Sequence, residues 1–391
     1  MFDNQLLSVI KEKRCCGCEA CRQSCPIDSI ILEADSFGFM YPVIDEQTCI
    51  NCGLCEKVCP VLNRVKKGNP IKQYAAFSYN DEVRLRSSSG GIFTQLAEEI
   101  INTKGGVVFG VEFDENWDVR HSFCEKTEDI GRFQGSKYVQ SQIKDSYIKV
   151  RGFLNDGRFV LFSGTPCQIS GLKLFLRKEY LNLITVEVIC HGVPSPKVWK
   201  DYLASLGDAN TISGFNFRDK SKFGWRRYSY KLTRNNGMSQ YFEYGNNAYS
   251  EAFLNNLTLR PSCFNCPSKL SNSRADITLG DYWGIEHVHQ DLDDDKGCSI
   301  VILHTEKGQS LFERISCAHR ETKLDNVIAY NPSLVESSSR PRKYDVFWKS
   351  YQKKGIYSLT HFVSRKQSLI KRTILSLRTI LSPIYHLLCQ L

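Results

Sequence analysis

The feature that most constrains this chain is a cysteine motif that occurs twice. Cys15, Cys18, Cys21 and Cys25, followed by Pro26, fit C-x2-C-x2-C-x3-C-P, and Cys49, Cys52, Cys55 and Cys59, followed by Pro60, repeat it in full. Crowded cysteines in a short secreted protein read as disulfides, but this chain has 391 residues and its start, "MFDNQLLSVIKEKR", has no apolar h-region. It therefore reads as cytoplasmic, and in a reducing compartment clustered thiolates are metal ligands more often than cross-links. Three closely spaced thiolates wrap three corners of one cubane, while the fourth reaches across to a second. The spacing assigns Cys15, Cys18, Cys21 and Cys59 to one [4Fe–4S] cluster and Cys49, Cys52, Cys55 and Cys25 to another. Paired zinc sites are the competing reading, but zinc knuckles join two C-x2-C hooks rather than two triple hooks. Cys16 lies outside the pattern and reads as a packed or spare thiol.

Residues 8–63 thus resemble bacterial two-cluster ferredoxins, and the resemblance implies an α+β ferredoxin-like domain, taken as 1–65, that relays single electrons at low potential. The polar stretch "NRVKKGNPIK" then reads as a linker. Beyond it, "YAAFSYN", "GGVVFGVEFD", "RFVLFSG" and "LITVEVICHG" read as strands alternating with amphipathic helices, the pattern of an α/β region with a largely parallel sheet. From about residue 211 the pattern turns hairpin-like, with a turn at Asn236 and Gly237. The expected divisions are 73–155, 156–340 and a helical tail over 345–391.

Formal net charge is +9, which raises the question of nucleic acid, but its distribution argues otherwise. No acidic residue follows Asp345, while eight lysines and arginines do, so the other residues carry only +1. No recognition module accompanies the charge, and nucleic acid is not an expected partner. Ile370, Ile374, Leu377, Leu381, Ile384, Leu388 and Leu391 form one apolar helix face with Lys371, Arg372 and Arg378 off it. A basic amphipathic helix docks on a partner protein or lies peripherally on the inner membrane surface; packing on its own domain is the plainer alternative. No apolar run reaches the ~20 residues of a membrane span.

Clusters move one electron at a time, whereas most organic substrates take two electrons and a proton, so a flavin is expected downstream. "RSSSGGIF", residues 86–93, joins a predicted strand to a helix through small residues, which suits a phosphate cradle and equally an ordinary N-cap. That ambiguity is narrowed by a resemblance. "SSSGGIF", "GSKYVQS", "GTPCQISGLK", "ICHGVPS", "FRDK" with "GWRRYSY", and "ADITLGDYWG" occur in the order found in the coenzyme F-420 hydrogenase/dehydrogenase beta-subunit family. The resemblance, over about residues 73–330, implies an FAD-binding iron–sulfur flavoprotein. It places Ser88, Ser89, Gly90 and Gly91 along FAD, with Lys137, Tyr138 and Gln140 helping to bind it.

Cys167 in "GTPCQ", Cys190 in "ICHG", and Cys263 and Cys266 in "CFNCP" fall inside these motifs and can hold a third [4Fe–4S] cluster, as the resemblance implies. Cys167 stands at a helix start, where the dipole favours thiolate, so a nucleophile is a competing reading; zinc and plain burial are others. Cys124, Cys298, Cys317 and Cys389 read as packing residues. His191 is a candidate proton donor to flavin or substrate, Asp281 reads as a loop cap, and Arg226 and Arg227 are candidates to hold an acidic planar substrate. The expected function is a ferredoxin-linked flavin oxidoreductase acting on a small organic hydride acceptor or donor, a deazaflavin among the candidates. Ferredoxin or a similar protein is the expected donor. A non-catalytic electron-transfer subunit and a Cys167-dependent transferase are the alternatives.

Overall fold

The computed structural model describes residues 5–65 and 69–367. The N-terminal segment contains helices α1 (Gln5–Lys11), α2 (Ala20–Ser24) and α3 (Leu54–Lys57) and strands β1 (Ile30–Ala34) and β2 (Met40–Ile44), which pair antiparallel. The chain then runs β3 (Lys72–Ser78), α4 (Asp81–Arg86), α5 (Ile92–Lys104), β4 (Val107–Phe113), β5 (Val119–Cys124), α6 (Ser146–Asn155), β6 (Val160–Gly164), α7 (Pro166–Leu176), β7 (Leu183–Val188) and α8 (Pro196–Ser205). A three-stranded antiparallel sheet follows, formed by β8 (Ile212–Asp219), β9 (Ser229–Arg234) and β10 (Ser239–Glu243), and then α9 (Ala248–Leu254). The remaining elements are β11 (Ile277–Asp281), α10 (Ile285–Val288), β12 (Ser299–Leu303), α11 (Glu306–Phe312), β13 (Cys317–Glu321), α12 (Leu324–Tyr330), α13 (Tyr344–Lys354) and α14 (Tyr357–Gln367).

The main sheet has eight strands in the order β13-β3-β12-β11-β7-β6-β4-β5. Only β11, β7, β6 and β4 run parallel to their neighbours; the pairings β13/β3, β3/β12, β12/β11 and β4/β5 are antiparallel. The sheet is therefore mixed, which corrects the expectation of a largely parallel one. Parallel neighbours need a long crossover, usually a helix. Between β11 and β12 the only α-helix is the four-residue α10, and β4 turns into β5 through a tight loop closed by Asp114 N–H to Asp118 C=O. Both faces are covered, so inner strands are apolar on both sides. Val107, Phe109, Val160 and Phe162 face one core, while Val108, Leu161, Val301 and Leu303 face another beneath α5 and α11.

Residues 73–155 and 156–340 both contribute strands to this sheet. The N-terminal segment is also not set apart: Leu6, Val9, Cys18, Ala20, Val58 and Val61 share a core with Tyr147, Phe162, Ile169 and Leu172. Buried Glu19 accepts the Ile143 and Lys144 amides, and Gln23 accepts those of Tyr147 and Ile148, at the start of α6. Phe37 stacks on Trp348 of α13 at 4.2 Å. Of the expected tail, α13 and the first part of α14 pack on the body through Tyr344, Phe347, Trp348, Tyr351 and Leu359. The apolar row from Ile370 to Leu391, and Cys389, lie outside the described residues. Among those described, no helix is long and apolar enough to cross a membrane.

Candidate functional site

Helices α2 and α3 each begin after a residue in the left-handed conformation, Glu19 at φ 59° and Gly53 at φ 68°. The reversal turns the cysteines on either side of each helix start toward a common void. One void is bordered by Cys15, Cys18, Cys21 and Cys59, the other by Cys25, Cys49, Cys52 and Cys55. The second is peripheral, since Cys52 is exposed, whereas Cys18, Cys21 and Cys59 of the first are buried. Among the described residues no three Cys, His, Asp or Glu side chains are grouped tightly enough for a single metal ion. The cysteines ring cavities instead, an arrangement that fits a cubane with one thiolate at each corner.

A third cavity lies at the carboxyl ends of β6 and β7. Cys167 follows β6, Cys190 follows β7, and Cys263 and Cys266 come from the loop after α9; all four border a space of about 40 Å³, against about 20 Å³ for each N-terminal cavity. Thr165 caps α7 in a reciprocal capping box with Gln168, and Pro166 occupies the first turn, which fixes Cys167 at the helix start. The Cys167 thiol is nonetheless raised well above its ordinary pKa, by the neighbouring Cys16 thiol and by burial. Burial likewise pushes Cys190 well up and Cys263 to about 12. A metal centre held there would have to displace these protons. Lys269 borders the same cavity and donates to the carbonyls of Cys190 (3.0 Å) and Ser333 (2.7 Å).

The Ser88–Gly91 loop sits at the same edge of the sheet. Ser299, the first residue of β12, pairs with Asp281 at the end of β11 and with Ala76 in β3, and its hydroxyl accepts the Gly90 N–H at 2.9 Å. Gly90 has no room for a side chain, because a Cβ would lie 2.5 Å from the Ala76 carbonyl. Gly91, at φ +87°, starts the thirteen-residue α5. Three buried cations surround the loop. Arg218 pairs with Asp281 through two contacts (2.7 and 3.0 Å) and donates to the Ser88 carbonyl and the Tyr138 hydroxyl. Lys220 donates to the carbonyls of Arg84, Ser89 and Lys296, and Arg84 pairs with Asp294. Among the described residues, the Nε atoms of Arg84 and Arg218 are buried and have no hydrogen-bond partner. Unspent cationic donors beside a helix start and the parallel Trp225–Trp283 pair, 4.7 Å apart, fit a planar cofactor carrying phosphates.

The sequence matches the family profiles for the N-terminal part (residues 73–146) and the C terminus (residues 157–325) of "Coenzyme F420 hydrogenase/dehydrogenase, beta subunit", which together take in more than half of the chain. The chain belongs to this family. Residues 13–63 match the "4Fe-4S dicluster domain" profile, so this family member carries an iron–sulfur electron-transfer module. A chain of the F420-reducing [NiFe] hydrogenase complex from Methanosarcina barkeri is similar at 16% identity, over 77% of this chain and 94% of that one, with a TM-score of 0.46. No curated protein matches.

In this beta-subunit family member the remaining singled-out residues divide between the two regions. Tyr138 touches Arg218 beside the Ser88–Gly91 loop, and Lys137 donates to the carbonyls of Arg132 and Gln134, with burial of its ammonium holding the pKa down to about 7. Gln140 lies elsewhere, in a buried network with the Cys16 carbonyl and Arg260. His191 borders the cysteine cavity, and both ring nitrogens are tethered, to Asn256 (2.6 Å) and Ser333 (3.4 Å). Asp281 is the counterion of Arg218 and accepts the Trp225 indole N–H at 2.7 Å rather than capping a loop. Arg226 is engaged with Asp293 and Glu286, and Arg227 with Glu243. Arg218 and Lys220 stand in "FRDK" with no local sign that they are site residues. Nothing local marks a strand-end cation as buried, since that depends on which loop folds over it.

Proposed function

We propose that this chain is a flavoprotein oxidoreductase subunit that takes single electrons through the two N-terminal clusters and a central cluster and exchanges hydride with a small organic substrate at FAD. The observation that carries the reading is the alignment of sites along one sheet edge. Cys167 follows β6, Cys190 follows β7, Asp281 ends β11, and Gly90 is held by Ser299 of β12 beside β3. Strand ends of this kind are where open α/β sheets bind ligands. From β6 to β3 is four strand spacings, about 19 Å.

When bound, the clusters supply one-electron steps and FAD couples two of them to a hydride equivalent. The chain's own residues do the rest. Cys15, Cys18, Cys21 and Cys59 hold the inner N-terminal cluster, Cys25, Cys49, Cys52 and Cys55 the outer one, and Cys167, Cys190, Cys263 and Cys266 the central one. The first-turn amides of α5, with Lys137 and Arg218, hold the pyrophosphate, Lys220 pins the Ser88–Gly91 loop through the Arg84, Ser89 and Lys296 carbonyls, and Tyr138 orients Arg218. Ferredoxin or a similar protein donates at the exposed Cys52 side. His191, its ring fixed by Asn256 and Ser333, holds a proton beside the central cavity. The deazaflavin coenzyme in the family's name is one substrate of suitable chemistry.

Anaerobic purification followed by iron, sulfide, zinc and flavin analysis tests this. About twelve irons and one FAD per chain are expected. About eight irons would remove the central cluster. Absence of flavin after reconstitution with FAD would leave an electron-transfer subunit without hydride chemistry.

A further inference from the structure

Cys16 belongs to neither ferredoxin motif, yet it is 7% exposed and borders two of the three cavities, that of Cys15, Cys18, Cys21 and Cys59 and that of Cys167, Cys190, Cys263 and Cys266. It lines the first together with Cys18 and the second together with Cys167, and is the one cysteine common to both. Its neighbour Cys15 turns into the first cavity, so a single peptide link separates a thiol of one site from a thiol that faces the other. The backbone here is clamped. Arg260, fully buried, donates to the Cys15 carbonyl (2.7 Å), the Met40 carbonyl (2.9 Å) and Gln140 Oε1 (2.9 Å), and Gln140 in turn donates to the Cys16 carbonyl. Gly17 completes the fit, since a Cβ there would lie 2.4 Å from Gln140 Nε2.

We infer that Cys16 is a non-ligand sulfur bridge, Cys18–Cys16–Cys167, through which the inner N-terminal cluster and the central cluster exchange electrons. The inference rests on the central-cluster reading above. One electron leaves one centre and arrives at the other; no bond forms or breaks, and Cys16 returns unchanged. Cys16 is a fifth cysteine at two cavities that each already have four, so it stays a thiol whose single S–H can donate to a ligating sulfur of one site at a time, a contact that tunes cluster potential. The charge of Arg260, felt by Cys15, Cys16 and Cys263, stabilises the extra electron on either side of the bridge.

The test compares holoprotein with Cys16→Ala and Cys16→Ser, full chain, purified anaerobically. Iron and sulfide are counted, and rapid-freeze EPR after dithionite mixing follows the spread of electrons from the N-terminal clusters to the central one. The expected result is wild-type iron content in both variants. Transfer should be slower by roughly tenfold in Cys16→Ala, and recover partly in Cys16→Ser, which keeps a donor but not the sulfur. An unchanged rate in Cys16→Ala overturns the bridge. Loss of about four irons on either substitution also overturns it, because Cys16 would then be a ligand. If the alanine variant does not assemble, the serine variant decides alone. A wild-type protein with about eight irons fails the central-cluster reading before any substitution is made, and the bridge falls with it.

Discussion

The two N-terminal cavities and the central one each gather four cysteines, but by different means. The outer pair draw theirs from two compact motifs, each wound around a short helix that starts from a left-handed residue. The central cavity collects Cys167 and Cys190 from the ends of neighbouring parallel strands, and Cys263 and Cys266 from a loop after α9. The first kind of site is specified by local turns, and the second exists only once the sheet has formed. Cluster insertion at the two should therefore respond differently to mutation, and the sharpest test is to remove one ligand from each. Cys190→Ser should lose about four of about twelve irons and leave the N-terminal EPR signals in place, whereas Cys21→Ser should do the converse. Loss of all iron from either variant would show that the two regions assemble as one.

The regions are joined by a buried guanidinium, and its removal should have the next largest effect. Arg260→Leu leaves the carbonyls of Cys15 and Met40 and the Gln140 amide oxygen without their donor. At about 1–3 kcal/mol for each buried group left unsatisfied, the loss should be on the order of 3 kcal/mol or more. Guanidinium chloride unfolding, followed through cluster absorbance, should show an earlier midpoint for the N-terminal segment. An unchanged midpoint would mean that the shared core of Val58, Tyr147 and Ile169 holds the segment without help.

What sequence could and could not reveal follows from the same contrast. The C-x2-C-x2-C-x3-C-P repeat is readable because three thiolates within seven residues already constrain the metal. Strands such as Val160–Gly164 and helices such as α5 and α7 declare themselves by period and caps. The antiparallel return of β12 does not, because the connection from β11 is long enough for a crossover but folds with only the four-residue α10 in it. Cys16 read as spare because its partners, Cys18 and Cys167, are close in space but the second is distant in the chain. Gly90 invites a phosphate-loop reading, yet it is glycine because the Ala76 carbonyl lies against it; its N–H is taken by Ser299. The cations that surround the loop, Arg218 and Lys220, come from the end of β8 and from just beyond it.

Around the Ser88–Gly91 loop, the proposed FAD site, the same distinction between local and assembled contacts can be sharpened with Lys220→Met. The ammonium pins three carbonyls, those of Arg84, Ser89 and Lys296, and so ties the Ser88–Gly91 loop to the segment before β12. Apoprotein titrated with FAD should show a roughly tenfold weaker Kd, the equivalent of one or two net hydrogen bonds to a charged group. Iron content should not change. A parallel loss of iron would tie loop and cavity into one unit.

The smallest effect separates the two lysines of this region by pH. Burial holds both Lys137 and Lys220 down to about 7, from an ordinary value of 10.5. Because the unfolded chain keeps protons that the folded chain has released, apoprotein stability contributed by these groups should rise with pH from about 7 until the unfolded pKa is reached. FAD affinity should run the other way. A pyrophosphate favours the Lys137 ammonium, so below pH 7 the charge is already present and affinity is flat. Above pH 7 binding must take up a proton, and Kd should increase by at most about tenfold per pH unit until the pKa of the bound state is passed. Fluorescence titration of apoprotein with FAD from pH 6 to 9 measures this. Lys137→Met should flatten the profile at the weaker, high-pH affinity while leaving the stability slope of Lys220 in place. A profile that stays steep in Lys137→Met would transfer the phosphate contact to Lys220, and with it the role of the β8 edge.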